Sequence, residues 1–356
     1  MNQGKYNVVG VMSGTSLDGV DLAHIQFTIR NNKWEYTIIE NDTIEYSAVW
    51  INRLQSAIHF SELELTNINI EYTKLLAEII SNFIEKYNIT NLDAVCSHGH
   101  TILHQPEKGI TLQIGNLPQI AKLINQTVVC DFRVQDVKLG GQGAPLVPIG
   151  DQILFSDYEY CLNLGGFSNI SFQEKETRIA FDISPVNTVL NYYANQLGLK
   201  YDNKGQISRS GKINSNLLES LNALEFYRLK HPKSLGFEFV KETIIPLMES
   251  FENTIENKLC TFTEHIAIQI AMALPTNKKG QILITGGGAY NDFLIERIRY
   301  HVPEMEISIP SPKVLEFKEA LIFGLLGVLR IRNEINVLSS VTGAIENHSS
   351  GIIYNP

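Results

Sequence analysis

The chain is poor in cysteine, poor in positive charge and without long apolar runs, and each shortage excludes a class of function. Its four cysteines in 356 residues, Cys96, Cys130, Cys161 and Cys260, lie tens of residues apart with no Cys-x-x-Cys pair. That spacing fits neither a zinc site nor a disulfide framework, so buried thiols in a reducing cytosol are expected. Lys and Arg number 29 against 38 Asp and Glu, a net charge of −9, which argues against non-specific binding to nucleic acid or to an anionic membrane. The longest apolar stretches, near residues 265–275 and 320–329, are about half of the ~20 residues that a bilayer-spanning helix needs. No membrane span is expected. Residues 1–6 are polar and lack the apolar segment and small-residue cleavage site of a signal peptide, so a cytoplasmic location is expected. Neither a G-x-x-x-x-G-K-S/T phosphate loop nor the G-x-S-x-G elbow of serine hydrolases occurs.

What is present is a 44% hydrophobic content, ample for more than one packed core and, at this length, for two domains. Segments rich in β-branched residues alternate with segments of helical period, which indicates an α/β fold. Residues 6–12 read as a strand, 13–19 as a polar loop and 20–27 as a returning strand, together a hairpin with an unusually polar tip. Leu75, Leu76, Ile79, Ile80, Phe83 and Ile84 form the apolar stripe of a helix over about residues 71–86. Strands are expected at 93–97, 111–114 and 127–131. A second hairpin of the same form, apolar strand, Gly and hydroxyl turn, apolar strand, spans 160–172. After it come a strand at 178–182, a helix from 187, helices near 213–223 and 238–251, a longer one ending at 274, a strand at 281–285 and a helix at 291–300. Gly140, Gly141, Gly143, Pro145 and Pro148 mark a domain boundary, giving lobes of residues 1–135 and 136–333, with 334–356 returning to the first.

Several groups of residues carry chemistry. Gly14, Thr15, Ser16, Leu17, Asp18, Gly19, Val20 and Asp21 supply backbone N–H groups, two hydroxyls and two carboxylates at the first hairpin tip. Such tips cradle phosphate because their N–H groups converge on an oxyanion while a nearby Asp holds Mg²⁺ through water; a plain turn accounts for them equally well. Gly286, Gly287 and Gly288, between strand and helix, suit close backbone approach to a flat ligand or a tight connection alone. His98, His100 and His104 have spacing compatible with metal ligation, although Ser97, Gly99 and Thr101 beside them fit better a polar strand end whose histidines hydrogen-bond a ligand. Arg133, Asp136 and Asp182 follow strand ends, where side chains of α/β proteins face the ligand crevice; capping or a surface salt bridge is the bland alternative.

Three stretches, Gly10-Val-Met-Ser-Gly-Thr-Ser-Leu-Asp-Gly-Val-Asp21, Asp131-Phe-Arg-Val-Gln-Asp136 and Gly140-Gly-Gln-Gly-Ala-Pro-Leu-Val-Pro148, together resemble the anhydro-N-acetylmuramic acid kinase family. The resemblance implies a two-lobed actin/hexokinase-like (ribonuclease-H-like) fold with ATP in the inter-lobe cleft. It assigns residues 14–21 to the first phosphate element, Gly165 and Gly166 to the second, and Gly286, Gly287, Gly288 and Asn291 to adenosine. Ser97-His-Gly-His-Thr101, Leu112-Gln-Ile-Gly115 and Val341-Thr-Gly-Ala344 also fall in family order. Asp182 aligns with the family's catalytic aspartate; His98, Arg133, Asp136 and Glu319 are expected to orient the sugar, and Asp18 to reach Mg²⁺ through water. Implied are ATP and Mg²⁺ as cofactors, an amino sugar as substrate, and a second copy of the chain as a candidate partner. The implied reaction opens 1,6-anhydro-N-acetylmuramic acid with water and phosphorylates O6, giving N-acetylmuramic acid 6-phosphate in cell-wall sugar recycling. Ile183, Ser184 and Val186 depart from the family's Asp-Thr-Gly-Pro-Gly-Asn motif, as do His100 (usually Gln), Leu235 and Phe237 elsewhere. These departures, expected on the substrate side, leave two alternatives: a kinase for a different sugar, or a sugar- or nucleotide-binding regulatory protein without turnover.

Overall fold

The computed structural model describes residues 4–14, 17–274 and 279–356. They form two compact units, one of Met1–Leu154 with Phe317–Pro356, the other Phe155–Glu316. The chain thus changes unit after Leu154, not at residue 136. Residues 140–148 stay with the first unit because Gly141 lies against Asp136 and Gly143 against Val137, while Gly150 of the following helix, Val147–Leu154, packs on Ile322. The return begins earlier than residue 334, at Phe317, where the helix Pro312–Ile331 departs from helical geometry (φ −108°, ψ 18°).

The first unit holds β1 (Lys5–Ser13), β2 (Val20–Arg30), β3 (Lys33–Ile44), β4 (Ala94–Gln105), β5 (Ile110–Ile114) and β6 (Val128–Cys130). β1, β2 and β3 form an antiparallel meander, β4 pairs parallel with β1 and β6 parallel with β4, and the final strand Ile352–Tyr354 closes the β6 edge. Asn31 and Asn32 turn β2 into β3 with φ of 50° and 61°, the left-handed pair that a two-residue hairpin of matching twist requires. The sequence reading passed over β3. As an edge strand exposed along much of its length, it lacks the apolar alternation of its neighbours.

The helix Glu62–Lys86 connects β3 to β4 and buries Ile68, Tyr72, Leu76, Ile80 and Phe83 on the sheet. It starts before the expected residue 71, in turns that are exposed and acidic and so carry no apolar stripe. Its beginning is written instead in the capping box of Ser61 and Glu64, each side chain serving the other's backbone N–H. The second half of Pro312–Ile331 also packs on β1 and β4, at glycines. A Cβ on Gly10 would fall on the Ala320 carbonyl, and one on Gly327 would fall on the Cys96 sulfur. All four cysteines are buried, and none is in a disulfide.

The second unit repeats the arrangement. β7 (Tyr160–Leu164), β8 (Phe167–Glu174) and β9 (Thr177–Pro185) form the meander, while β10 (Gly280–Thr285) pairs parallel with β7 and β11 (Met305–Ser308) parallel with β10. In both units the order is third, second, first, then the parallel strands, the duplicated α/β pattern that an actin/hexokinase-like fold requires. The helix Ile255–Ala273 covers this sheet with Leu259, Phe262, Ile266 and Ile270. Each such fully buried side chain contributes about 1.5–3 kcal/mol relative to exposure. The expected helix at 238–251 is Phe237–Phe239 and Ile245–Glu249 joined by a π turn, Val240–Ile244; Pro246 lacks the N–H that an unbroken ladder needs. Among the described residues, no helix is long and apolar enough to cross a membrane.

Because the Ala320 carbonyl is backbone and cannot swing aside, Gly10→Ala should destabilise the protein by about 1–3 kcal/mol, read as a lower urea midpoint. An unchanged midpoint would show that strand and helix do not approach as described.

Candidate active site

In the first unit the parallel register sets Ser13 beside His100. The Ser13 Oγ lies 2.8 Å from His100 Nδ1 and 2.6 Å from the Tyr46 hydroxyl, which is 2.5 Å from that of Tyr72. Burial pulls His100 down to about 4 and raises both phenols, Tyr72 well above its ordinary value. The chain is therefore neutral at neutral pH and anchors the base of the tip that follows β1. Within that tip Leu17 is left-handed (φ 62°), Gly14 is partly buried, Asp18 is exposed and Val20 is buried. A Cβ on Gly19 would overlap the Ile44 carbonyl. Asp21 accepts a 2.6 Å bond from Thr43. Thr15 and Ser16 lie outside the described residues.

His98 and Arg133 are brought together. The Arg133 Nε–H donates to His98 Nε2 over 2.8 Å, and the other ring nitrogen, Nδ1, is 2.8 Å from the Gly99 carbonyl. An arginine only donates and a carbonyl only accepts, so both partners select the neutral ring with its proton on Nδ1. Burial, then the adjacent Arg133 charge, keep His98 well below its ordinary value. Burial also pulls Arg133 down to about 10, against the pull of Glu319 and Asp136, leaving it protonated at neutral pH. Its NH1 donates to the Gly143 carbonyl at 2.6 Å. Glu319 is solvent-accessible, yet its protein-dense surroundings raise its carboxyl, with Arg133 opposing the rise.

Asp136 differs from the expectation. It is fully buried and accepts from the Gly143 N–H and the Thr342 hydroxyl, each at 2.7 Å, so its oxygens face the protein. The metal reading of the histidines is also unsupported. His98 Nε2 is occupied by Arg133, His100 Nδ1 by Ser13 and His104 Nδ1 by Thr111. Among the described residues, no group of three His, Cys, Asp or Glu side chains is placed to hold a metal.

In the second unit, register builds a polar row. Thr285 pairs with Asn163, Asn163 with Asn169 and Asn169 with Asp182, and directly paired residues share a face. The adjacent row, Ile284, Leu162, Ile170 and Phe181, lies in the hydrophobic core on the other face. Asp182 is half-buried within β9, which runs on to Pro185 instead of ending at residue 182 as expected, and its Oδ2 accepts from Leu235 N–H at 2.8 Å. Burial raises its carboxyl despite that bond, making it a stronger proton acceptor than an exposed aspartate.

The Gly165 and Gly166 carbonyls accept from the N–H groups of Val186, Asn187 and Thr188, which ties the β7–β8 turn to the start of Asn187–Gln196. A Cβ on Gly286 would meet Asn163 and Leu164, and one on Gly288 would meet Leu164. At Gly287 the nearest atom is Asn187 Nδ2 at 3.7 Å. Gly287 is thus the open member of the triplet. Asn291 caps the helix Asp292–His301, accepting from Leu294 N–H at 3.0 Å, so its side chain is committed to the fold.

A model of the family described as anhydro-N-acetylmuramic acid kinase matches residues 6–356. The chain belongs to this family. It is 34% identical to an anhydro-N-acetylmuramic acid kinase of Mannheimia succiniciproducens, over 98% of this chain and 99% of that one. A kinase of the same name from Pseudomonas syringae is 32% identical, over 97% and 98%, and one from Bacillus cereus is 32% identical, over 98% and 99%.

Membership sharpens the meaning of the departures. Ile183, Ser184 and Val186 are buried; Ile183 and Val186 join the core cluster, and Ser184 exchanges bonds with Ser168. They face away from the polar row, contrary to the expectation of a substrate-side change, and so give no reason to remove Asp182 from chemistry. Leu235 meets Asp182 through its backbone N–H, which any residue but proline supplies, and His100 serves as a neutral hydrogen-bonding group. Phe237 is exposed. The sequence reading missed Tyr46 and Tyr72, which no local spacing connects, and did not single out Asn163 and Asn169, which only strand register aligns.

The glycine geometry separates stability from binding. Gly288→Ala should lower the unfolding midpoint, whereas Gly287→Val should leave it near the parent's and raise the KM for ATP severalfold. Unchanged ATP affinity in folded Gly287→Val would remove the turn from the nucleotide site.

Proposed function

We propose that this protein uses ATP to convert 1,6-anhydro-N-acetylmuramic acid and water into N-acetylmuramic acid 6-phosphate and ADP, in cytoplasmic recycling of cell-wall sugar. The observation that carries the reading is Asp182, a half-buried carboxylate of raised pKa on β9, in one row with Asn163, Asn169 and Thr285. In this reading Asp182 accepts a proton from water as the water oxygen attacks the anomeric carbon. The C1–O6 bond breaks, and the released O6 attacks the γ-phosphorus with departure of ADP. General-base catalysis contributes about 10²–10⁴-fold, with positioning and charge stabilisation supplying the rest. Arg133, held against neutral His98, and accessible Glu319 orient the sugar.

Mg²⁺ bound with the nucleotide would neutralise phosphate charge. Such ions keep most of their waters and take one or two carboxylates, and exposed Asp18, with Asp21 at the start of β2, suits that water-mediated mode. The backbone N–H groups of the first tip and Gly165 and Gly166 at the β7–β8 turn are the phosphate elements in this reading, and the open side of Gly287 receives adenosine.

Asp182→Asn keeps the side-chain shape and removes the proton acceptor, so kcat should fall about 10²-fold or more while sugar and ATP still bind. In the parent, activity should fall as pH drops through the raised Asp182 pKa, because the protonated acid cannot accept the water's proton. That acidic limb should lie above the ordinary aspartate range. Near-normal turnover in Asp182→Asn, or an acidic limb at ordinary aspartate pH, would remove Asp182 as the base.

A further inference from the structure

The C-terminal stretch Val341-Thr-Gly-Ala344 has no part in the chemistry above, yet it reaches the Arg133 loop. We propose that Thr342 is a positioning residue that sets Arg133 for the sugar, a role that rests on reading Arg133 as sugar-facing. Thr342 lies 206 residues beyond Asp136 in sequence and donates its hydroxyl to Asp136 Oδ1 at 2.7 Å. The other carboxylate oxygen accepts from Gly143 N–H at 2.7 Å, and the Gly143 carbonyl accepts from Arg133 NH1 at 2.6 Å. Arg133 Nε also donates to His98. One unbroken series of short bonds therefore runs from Thr342 through Asp136 and Gly143 to the guanidinium.

Every buried link is specific. Asp136 is fully buried and Thr342 nearly so, so water cannot readily replace a lost partner, and a buried carboxylate deprived of a donor must move or recruit another. A Cβ on Gly141 would fall on the Asp136 carboxylate, which leaves the loop no other residue there. The Thr342 carbonyl holds the same loop at a second point, accepting from Gln142 N–H at 2.8 Å. His348 also approaches, its Nε2 3.5 Å from Asp136 Oδ1. Its Nδ1 lies 3.1 Å from the Glu346 carbonyl, and the Thr342 hydroxyl, at 2.7 Å, is the closer donor to that Asp136 oxygen. The Thr342 methyl is not required by any of this; the hydroxyl is.

The test measures KM for the anhydro sugar and for ATP, with kcat and the unfolding midpoint, in Thr342→Val, Thr342→Ala, Thr342→Ser, Arg133→Gln and the Arg133→Gln, Thr342→Val pair. Thr342→Val and the smaller Thr342→Ala should raise the sugar KM about tenfold, the scale of effect that a misplaced binding group produces, with the ATP KM unchanged. Thr342→Ser should restore parental values, and adding Thr342→Val to Arg133→Gln should cost nothing further. If Arg133→Gln raises the sugar KM while Thr342→Val and Thr342→Ala leave it alone, the positioning role is overturned and the reading of Arg133 stands. If Arg133→Gln itself leaves the sugar KM unchanged, both fall. Equal increases in sugar and ATP KM, failure of Thr342→Ser to rescue, or effects that multiply in the double variant would also overturn the role, since each marks a general loss of structure or an independent site.

Discussion

In each unit, the polar cluster depends on parallel pairing of the first strand of the sheet with a strand that returns after a helix. Two parallel strands bring their carboxyl ends to the same edge, where the loops leaving them meet. In the first unit this pairing sets Ser13 at the end of β1 beside His100 on β4, with Arg133 following β6. In the second it sets Asn163 beside Thr285, with the Gly165–Gly166 turn and the Gly286–Gly288 triplet just beyond. A one-residue slip in either register would turn the polar row into the core and the apolar row outward. The cost of burying Asp182 and Asn163 among Phe262 and Ile266 is what forbids it.

The electrostatics of the first unit's cluster follow from burial. Ser13, Tyr46, Tyr72 and His100 form a neutral hydrogen-bonded chain, since burial disfavours the charged form of each titratable member. Arg133 keeps its charge beside them, held by a ring nitrogen, a carbonyl and, at one remove, the buried Asp136 carboxylate. A guanidinium held so has little freedom to lose on meeting an anionic or hydroxyl-rich ligand. In the second unit Asp182 differs in having one backbone donor and a partly desolvated carboxyl.

Much of this was legible in the sequence, and what was not has physical causes. The two hairpins with polar tips and the glycine turn at residues 286–288 were written in local composition, whereas Asp182 proved to lie within β9 and not at its end. The roles of Asp136 and Asn291 were not, because the same residue types serve as ligand contacts and as caps, and only the partners Gly143, Thr342 and Leu294 decide between them. Ile183 and Val186 read as substrate-side changes, but Ile183, at the register shift of β9, and Val186, just past its end, both pack into the core. The unit boundary was misread at residues 140–148 because glycine and proline signal a turn there, and a turn that is packed on Asp136 and Val137 is no linker.

The account turns on water attacking carbon while the freed sugar oxygen attacks phosphorus. Turnover of the anhydro sugar and ATP in H₂¹⁸O, with the product read by mass spectrometry in the first turnovers before anomeric exchange, tests that division directly. The account predicts one ¹⁸O on the anomeric carbon of the sugar phosphate and none in the phosphoryl group. Label in the phosphoryl group, or a phosphorylated product without label at the anomeric carbon, would contradict it.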